Sequence, residues 1–255
     1  MINKEWMTIV AKEQIAKDTI EMTLSGSAVI DTAEPGQFVH INVGTNNTNL
    51  LRRPISIADV NKKEQTITII FKIIGTGTDQ LSKYTVGQEL DVLVPCGQGY
   101  PISKVTMKKA LVIGGGIGVP PLYYLAKQLQ QKGIEVTAVI GFQSEEHVFY
   151  ESKFSEIGSC HVVTDDGSYG FKGYVTDVLD QVDIAYDYYF SCGPTGMLKA
   201  VSKKLEDKKG YISIEQRMGC GIGACYACVV PTSEPNGFKK ICKDGPVFEA
   251  KEVVL

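Results

Sequence analysis

Apolar and polar positions along the 255-residue chain fall into three regimes. Through residue 101 the apolar runs are short, rich in β-branched and aromatic side chains, and broken by turn signals. Segments 37–43 and 66–74 are the clearest, and both read as strands of an antiparallel barrel or sandwich. Gly87, 91–94 and then Pro95-Cys96-Gly97-Gln98-Gly99 close that stretch. At Lys108 the character changes. Ala110-Leu111-Val112-Ile113 is a wholly apolar strand followed at once by glycines, and Pro120-Pro121 open a helix, where proline is tolerated in the first turn. Leu122, Leu125, Ala126 and Leu129 recur at i, i+3, i+4 and i+7, with Gly133 placed to end the helix. Segment 134–140 is a second buried strand. A third unit closes on the strand 188–192 and Gly193-Pro194-Thr195, then a helix with Leu198, Val201 and Leu205 on one face, ended by Gly210. Strands alternating with helices predict a parallel, helix-covered sheet. The expected organisation is a β domain over 1–101, a Rossmann-like α/β domain over 102–212, and a cysteine-rich segment over 213–255.

Composition narrows this picture without changing it. Apolar residues make up 44% and charged residues 22%, close to soluble globular averages and enough for two cores. The net charge is −3 and the cations are dispersed, so no basic block marks a nucleic-acid partner. Charged residues punctuate positions 1–20, which excludes a signal-peptide core. Glycines and prolines interrupt the longest uncharged run, 110–126, whereas a membrane span needs about 20 uniformly apolar residues. A cytoplasmic protein with no membrane segment is expected.

Seven cysteines are present, and four crowd into the last 36 residues. Cys220, Cys225 and Cys228 stand as C-x4-C-x2-C, and Cys242 follows after 13 intervening residues. This is the plant-type spacing for a [2Fe–2S] cluster. Gly219, Gly221, Gly223, Ala224 and Ala227 keep the loop small enough for backbone N–H groups to donate to cluster sulfurs. The competing reading is a four-cysteine zinc site, but those usually pair two short knuckles, whereas here three thiols share one loop. Cys96, Cys160 and Cys192 read as small buried side chains.

Other segments carry chemistry less specifically. Arg53-Pro54-Ile55-Ser56 offers a guanidinium suited to a diphosphate and a hydroxyl able to reach a flavin nitrogen or a phosphate. Gly75-Thr76-Gly77-Thr78 offers backbone N–H groups to phosphate oxygens, although such a stretch is more often a plain hairpin loop. Gly114-Gly115-Gly116-Ile117-Gly118 between strand and helix can present a helix N-terminus to a dinucleotide, and Cys192-Gly193-Pro194 repeats the strand-turn-helix logic.

Taken in order, R-P-I-S, G-T-G-T, G-G-G-I-G-x-P-P and C-G-P resemble the ferredoxin–NADP reductase superfamily. Within it, the whole chain is similar to the electron-transfer subunits of the NAD-linked, two-subunit (type B) dihydroorotate dehydrogenases. Segment 164–173 and the run 215–225, which joins a reductase fold to an iron–sulfur loop, are the most telling. The resemblance implies FAD held by Arg53, Pro54, Ile55 and Ser56, lined by Ile70, Phe71 and Lys72, with Gly77 and Thr78 at its diphosphate. It implies NAD as co-substrate at Gly114, Gly115, Gly116, Gly118, Cys192, Gly193 and Pro194, and a cluster on Cys220, Cys225, Cys228 and Cys242. It also implies an FMN-containing catalytic partner that oxidises dihydroorotate for pyrimidine biosynthesis, in a two-plus-two heterotetramer. Electrons would pass from FMN through the cluster to FAD and NAD+. Ile55 departs from the aromatic residue usual in the superfamily. Gly141-Phe142-Gln143-Ser144 lacks the arginine often used for a 2′-phosphate, which favours NAD over NADP.

No acid–base catalyst is expected, because the bound groups carry the chemistry. His40, His147 and His161 are isolated and read as surface or packing residues. Glu215 and Arg217 read as a solvated strand end, while Arg217, Met218 and Tyr226 are candidates for a docking surface beside the cluster. The alternatives are an NAD(P)H-linked subunit of a hydrogenase or ferredoxin-linked complex, an autonomous reductase, and a zinc-stabilised binding module.

Overall fold

Alternating burial along the first strands closes them around an apolar interior. The structure, a computed structural model, describes residues 2–26, 30, 32–44 and 49–255. The strands are β1 (Asn3–Ala16), β2 (Thr19–Ser25), β3 (Phe38–Asn42), β4 (Arg53–Asn61), β5 (Thr66–Lys72) and β6 (Glu89–Cys96). They form a closed antiparallel barrel in the order β1-β2-β5-β4-β3-β6. In β2, Ile20, Met22 and Leu24 point inward, the period-two pattern of a half-buried strand. Closure leaves no unpaired sheet edge in the barrel.

The expected strand over 66–74 stops at Lys72. Gly75-Thr76-Gly77-Thr78 is no hairpin loop: Gly75 caps the short helix α1 (Thr76–Ser82), which links β5 to β6. The Thr78 hydroxyl accepts from the N–H groups of Ile74 (3.0 Å) and Gly75 (3.3 Å), which fixes the turn into that helix.

The second half is built on a sheet with helices on both faces. Its elements are β7 (Lys109–Gly115), α2 (Val119–Gln131), β8 (Glu135–Phe142), α3 (Glu151–Ser155), β9 (Ser159–Thr164), β10 (Phe171–Lys172), α4 (Val175–Gln181), β11 (Tyr188–Cys192), α5 (Thr195–Lys204) and β12 (Gly210–Ser213). The cysteine-rich segment adds β13 (Val229–Pro231), β14 (Phe238–Lys240), α6 (Ile241–Asp244) and β15 (Val247–Glu249). The sheet order is β10-β9-β8-β7-β11-β12-β15. All its pairs are parallel except the last, where β15 runs antiparallel to β12, so the expected wholly parallel sheet gains one reversed edge strand from the tail. Gly210 does not end α5, which stops at Lys204. It opens β12, where a Cβ would meet the Tyr189 ring at 2.3 Å. Among the described residues no helix is long and apolar enough to cross a membrane.

Helix α2 joins the halves. Its predicted stripe, Leu122, Leu125, Ala126 and Leu129, is fully buried in a core that also includes Ala58 and Ile70 of the barrel. Ile134 N–H donates to Leu129 O (3.1 Å) and Gly133 N–H to Gln130 O (2.9 Å), a Schellman closure that needs the left-handed φ of +76° at Gly133. On the barrel side, the Lys127 ammonium grips both Asp59 oxygens (2.8 and 2.7 Å), and Tyr124 donates to Ala33 O (2.9 Å). Packing should outweigh the ion pair. Leu125→Ala is expected to cost about 2–5 kcal/mol, and Lys127→Met no more than about 1 kcal/mol, measured by urea unfolding of the full chain.

Candidate functional site: two adjoining clefts and a four-cysteine loop

Each motif reaches the site by a different local rule. In R-P-I-S, Arg53 begins β4 and projects to the start of α1. There its guanidinium lies so close to Gly77 that a Cβ would sit 1.9 Å from Nε, which explains the glycine. Arg53 also donates to Leu51 O and to Asn49 Oδ1 (3.0 Å), so the fork is held in place. The neighbouring Arg52 has another task. It bonds Asp91 through O (2.8 Å) and Oδ1 (2.8 Å), pinning β4 to β6.

A cleft of about 700 Å³ runs over this corner. All nine barrel residues singled out for a flavin line it: Arg53, Pro54, Ile55, Ser56, Ile70, Phe71, Lys72, Gly77 and Thr78. Six consecutive residues from the far side, 213–218, complete the wall. Glu215, exposed just beyond the end of β12, is more than a solvated strand end. Its Oε1 accepts from the Ser56 hydroxyl (3.2 Å), bridging the tail to the barrel. Protein walls crowd the carboxyl and raise it from 4.5 to about 7, with the Ser56 bond pulling the other way. The residue is still open to water in the cleft, which moderates the shift and leaves its upward direction. Sequence spacing could not flag Glu215, because its partner lies 159 positions away.

A second cleft of about 570 Å³ opens at the carboxyl ends of β7, β8 and β9, where parallel sheets bind ligands. The glycine motif divides here. Gly115 and Gly116 line the cleft with Pro194, and Gly116 takes a left-handed φ of +52° with open space where a Cβ would stand. Gly114 and Gly118 do not line it. Gly114 packs against Val119 and Leu122, and a Cβ on Gly118 would sit 2.3 Å from Cys192 O, so both glycines serve close backbone packing. Cys192 and Gly193 also lie off this cleft. The Cys192 side chain is fully buried, and burial, then the nearby Glu215 charge, pushes its thiol well above the usual range. Gln143 and Asp165 stand in the wall just beyond the ends of β8 and β9, and Asp165 N–H donates to Phe142 O (3.0 Å) across those two strand ends. Lys72 and Ile117 line both clefts, so the two adjoin.

The cysteine loop lies beyond residue 218. Backbone N–H groups already converge on its sulfurs: Ala224 (3.2 Å) and Cys225 (3.3 Å) donate to Cys220, Cys220 to Cys225 (3.4 Å), Gly223 to Cys242 (3.2 Å), and Cys242 to Cys228 (3.5 Å). Burial raises the Cys220 thiol, but donors from Cys225, Ile222 and Ala224 outweigh it and bring the group down to about 6, towards the thiolate a metal requires. Among the described residues no three His, Cys, Asp or Glu side chains converge as a single-ion site demands. The sulfurs nevertheless neighbour one another: Cys220 interacts with Cys225, and Cys242 with both Cys228 and Cys220. Cys228 and Cys242 are buried, while Cys220 and Cys225 are half-exposed. The loop rests on His40, which is buried in β3, not on the surface. Its Nδ1 lies beside Gly221 of the loop, and neither ring nitrogen makes a hydrogen bond of ordinary geometry among the described residues. Burial, then the Arg52 charge, lowers His40 to about 4, so it packs as a neutral ring.

Of the three candidates for a docking surface, Arg217 and Tyr226 are exposed. Met218 is not: at 7% exposure it packs into the core with Ile214 and Cys228. Phe238, exposed, takes its place beside Tyr226, meeting that ring edge-on at 5.7 Å, and Ile222 is exposed on the same loop as Tyr226.

Two family models match this arrangement. Residues 112–203 match an oxidoreductase NAD-binding domain, and residues 215–254 match the iron–sulfur cluster binding domain of dihydroorotate dehydrogenase B. The electron transfer subunit of dihydroorotate dehydrogenase B (NAD(+)) from Geobacillus sp. (strain WCH70) is 50% identical over 258 residues, covering 100% of both chains. The chain belongs to that family. The corresponding subunit from Shouchella clausii is 47% identical over 98% of this chain and 97% of its own. Among solved structures, an NADH-dependent reduced ferredoxin-NADP oxidoreductase aligns with a TM-score of 0.88 at 30% identity, over 98% of this chain and 90% of that one. An Amycolatopsis cytochrome P450 reductase shares the fold, with a TM-score of 0.69 at 20% identity over 81% of this chain and 66% of that one. Membership in the electron transfer subunit family makes a zinc-stabilised binding module the wrong description of the tail.

The site generates two expectations. Gly221 has a φ of +70°, and a Cβ there would meet His40 Nδ1 at 2.2 Å. Gly221→Ala should therefore lower the iron content of the purified protein several-fold while the far-ultraviolet spectrum stays folded. The raised Glu215 carboxyl contributes stability that is full below its ordinary value of 4.5 and lost as pH rises through its raised value. Glu215→Gln should flatten that part of the profile in thermal melts of the cofactor-free chain.

Proposed function

We propose that the chain carries electrons between the catalytic subunit of a type B dihydroorotate dehydrogenase and NAD+, holding FAD in the larger cleft and a [2Fe–2S] cluster on Cys220, Cys225, Cys228 and Cys242. One observation carries the reading: the three sites are contiguous. Arg217 and Met218, just before the first cysteine, line the larger cleft, and Lys72 and Ile117 belong to both clefts. When bound, the flavin exchanges hydride for single electrons and the cluster passes electrons one at a time, which is the chemistry such a sequence of sites needs.

The chain's own residues bind and orient. Arg53, held by Leu51 O and Asn49 beside the first turn of α1, offers its fork and the helix N–H groups to a diphosphate. The Ser56–Glu215 pair supplies a hydroxyl and a carboxyl to the polar edge of a ring laid across Ile55, Ile70 and Phe71. Gly115, Gly116 and Pro194 leave room for NAD. Gln143 and Asp165 present no cation to a 2′-phosphate at the strand ends, which supports NAD over NADP. Exposed Ile222, Tyr226 and Phe238 beside the half-exposed cysteines form the face that would meet an FMN-containing catalytic subunit, in a two-plus-two cytoplasmic complex.

The likeness to the ferredoxin-NADP oxidoreductase favours a second reading, a subunit of a ferredoxin-linked complex. The higher identity to the dihydroorotate dehydrogenase subunits, 47–50% against 30%, weighs against it. The deciding experiment purifies the chain with its native partner and follows NADH formation from dihydroorotate and NAD+. Wild-type complex should form NADH, and Cys225→Ser should abolish it while the partner still reduces an artificial dye. Capture of a different redox enzyme, with no NADH from dihydroorotate, would overturn the pathway.

A further inference from the structure

We infer that Lys240 is a positioning residue that raises the reduction potential of the iron–sulfur site by polarising the peptide that donates to Cys220. The inference rests on the [2Fe–2S] assignment and extends it to a residue outside the ligand set.

Lys240 ends β14, two positions before Cys242, on the arm that brings the fourth cysteine to the loop. Its ammonium donates to Gly223 O at 2.9 Å. That carbonyl belongs to the same peptide unit as the Ala224 N–H, which donates to Cys220 Sγ at 3.2 Å. The result is one continuous chain: ammonium, carbonyl, amide N–H, sulfur. A cation on the carbonyl makes the N–H on the other end of that peptide a stronger donor, because hydrogen bonds in series polarise one another. Stronger donation to a ligand sulfur, and positive charge nearby, both favour the reduced state of a cluster, whose potential follows hydrogen bonds and net charge.

The side chain is held for this task. The ammonium lies 4.1 Å from the Tyr226 ring centroid, a cation–π contact, and Tyr226 is braced edge-on by Phe238 at 5.7 Å. The Lys240 N–H donates to Asp244 Oδ2 at 2.8 Å, fixing the entry to α6. Gly223 serves both arms, since its own N–H donates to Cys242 Sγ at 3.2 Å. Lys240 therefore ties the three-cysteine loop to the arm of the fourth through one charged group. Lys243, whose side chain packs against Gly223, has no hydrogen bond to a loop carbonyl among the described contacts.

The test is a redox titration of the assembled complex, followed by the electron paramagnetic resonance of the reduced cluster, with iron and sulfide assayed on the same samples. K240M removes charge and donor, K240Q keeps a donor without charge, and K240R keeps both. K240M and K240Q should shift the one-electron equilibrium about three- to tenfold towards the oxidised cluster, roughly 30–60 mV at 59 mV per decade. K240R should stay near wild type. If K240M fails to assemble, K240Q against K240R carries the comparison. Wild-type potentials in both uncharged variants at full iron content would overturn the proposal. So would equal loss of iron in K240Q and K240R, which would make the residue a structural tie only. A wild-type complex without a [2Fe–2S] signal would overturn the cluster assignment itself, before any variant is compared.

Discussion

When Val247–Glu249 lays itself antiparallel along β12, it satisfies the free edge of the nucleotide-binding sheet and closes the chain back onto its first half. The same turn continues the contact: Ile214 N–H donates to Pro246 O (3.0 Å), and Gln98 N–H at the end of the barrel donates to Gly245 O (2.6 Å). A few backbone bonds thus clamp the tail between sheet and barrel. Everything distinctive about the site follows from that clamp. It makes residues 213–218 a wall of the larger cleft and sets the cysteine loop over His40.

The clamp holds because both of its supports are rigid with respect to one another. Helix α2 packs one apolar face against β7, β8 and the barrel residue Ala58, so the two halves share a core rather than meeting at a wet surface. Burial on that scale is what stabilises a domain, while the Lys127–Asp59 pair mainly selects orientation. Tyr150 shows the same division of labour on the other side of the seam. Held at a φ of +66°, it donates to Glu21 of the barrel while Lys153 lies 3.9 Å above its ring. Two clefts that must adjoin within a few ångströms need a seam of this kind.

Charge is distributed in keeping with the parts played by the sites. Among the described residues no carboxylate pairs with the Arg53 fork at the larger cleft, whereas Arg52 beside it is consumed by Asp91. Around the cysteines, donors come from backbone amides first and from one ammonium behind them. Amides cost no ionisation and cannot be displaced by water in so small a loop, which makes them the natural first layer about anionic sulfur.

The parts whose information is local were legible before any tertiary contact was known. Short β-branched and apolar runs located β3, β5, β7, β8 and β11, and period-3.6 spacing the buried stripe of α2, while β1, β2 and β4 were not singled out as strands. The cysteine spacing picked out the four thiols, and R-P-I-S with G-T-G-T picked out residues that all line one cleft. Short-range spacing suffices there because the chain's own geometry brings the residues together. It does not suffice where partners lie far apart in sequence. Glu215 meets Ser56, His40 lies under Gly221, and β15 joins β12 only through the closed fold. Chemically identical glycines were also separated only by tertiary structure. Gly116 faces open space, whereas Gly114, Gly118 and Gly210 are glycines because a side chain, another backbone and a ring, respectively, occupy the place of a Cβ. Local sequence encodes which element a residue enters; long-range packing decides which cavity, if any, that residue reaches.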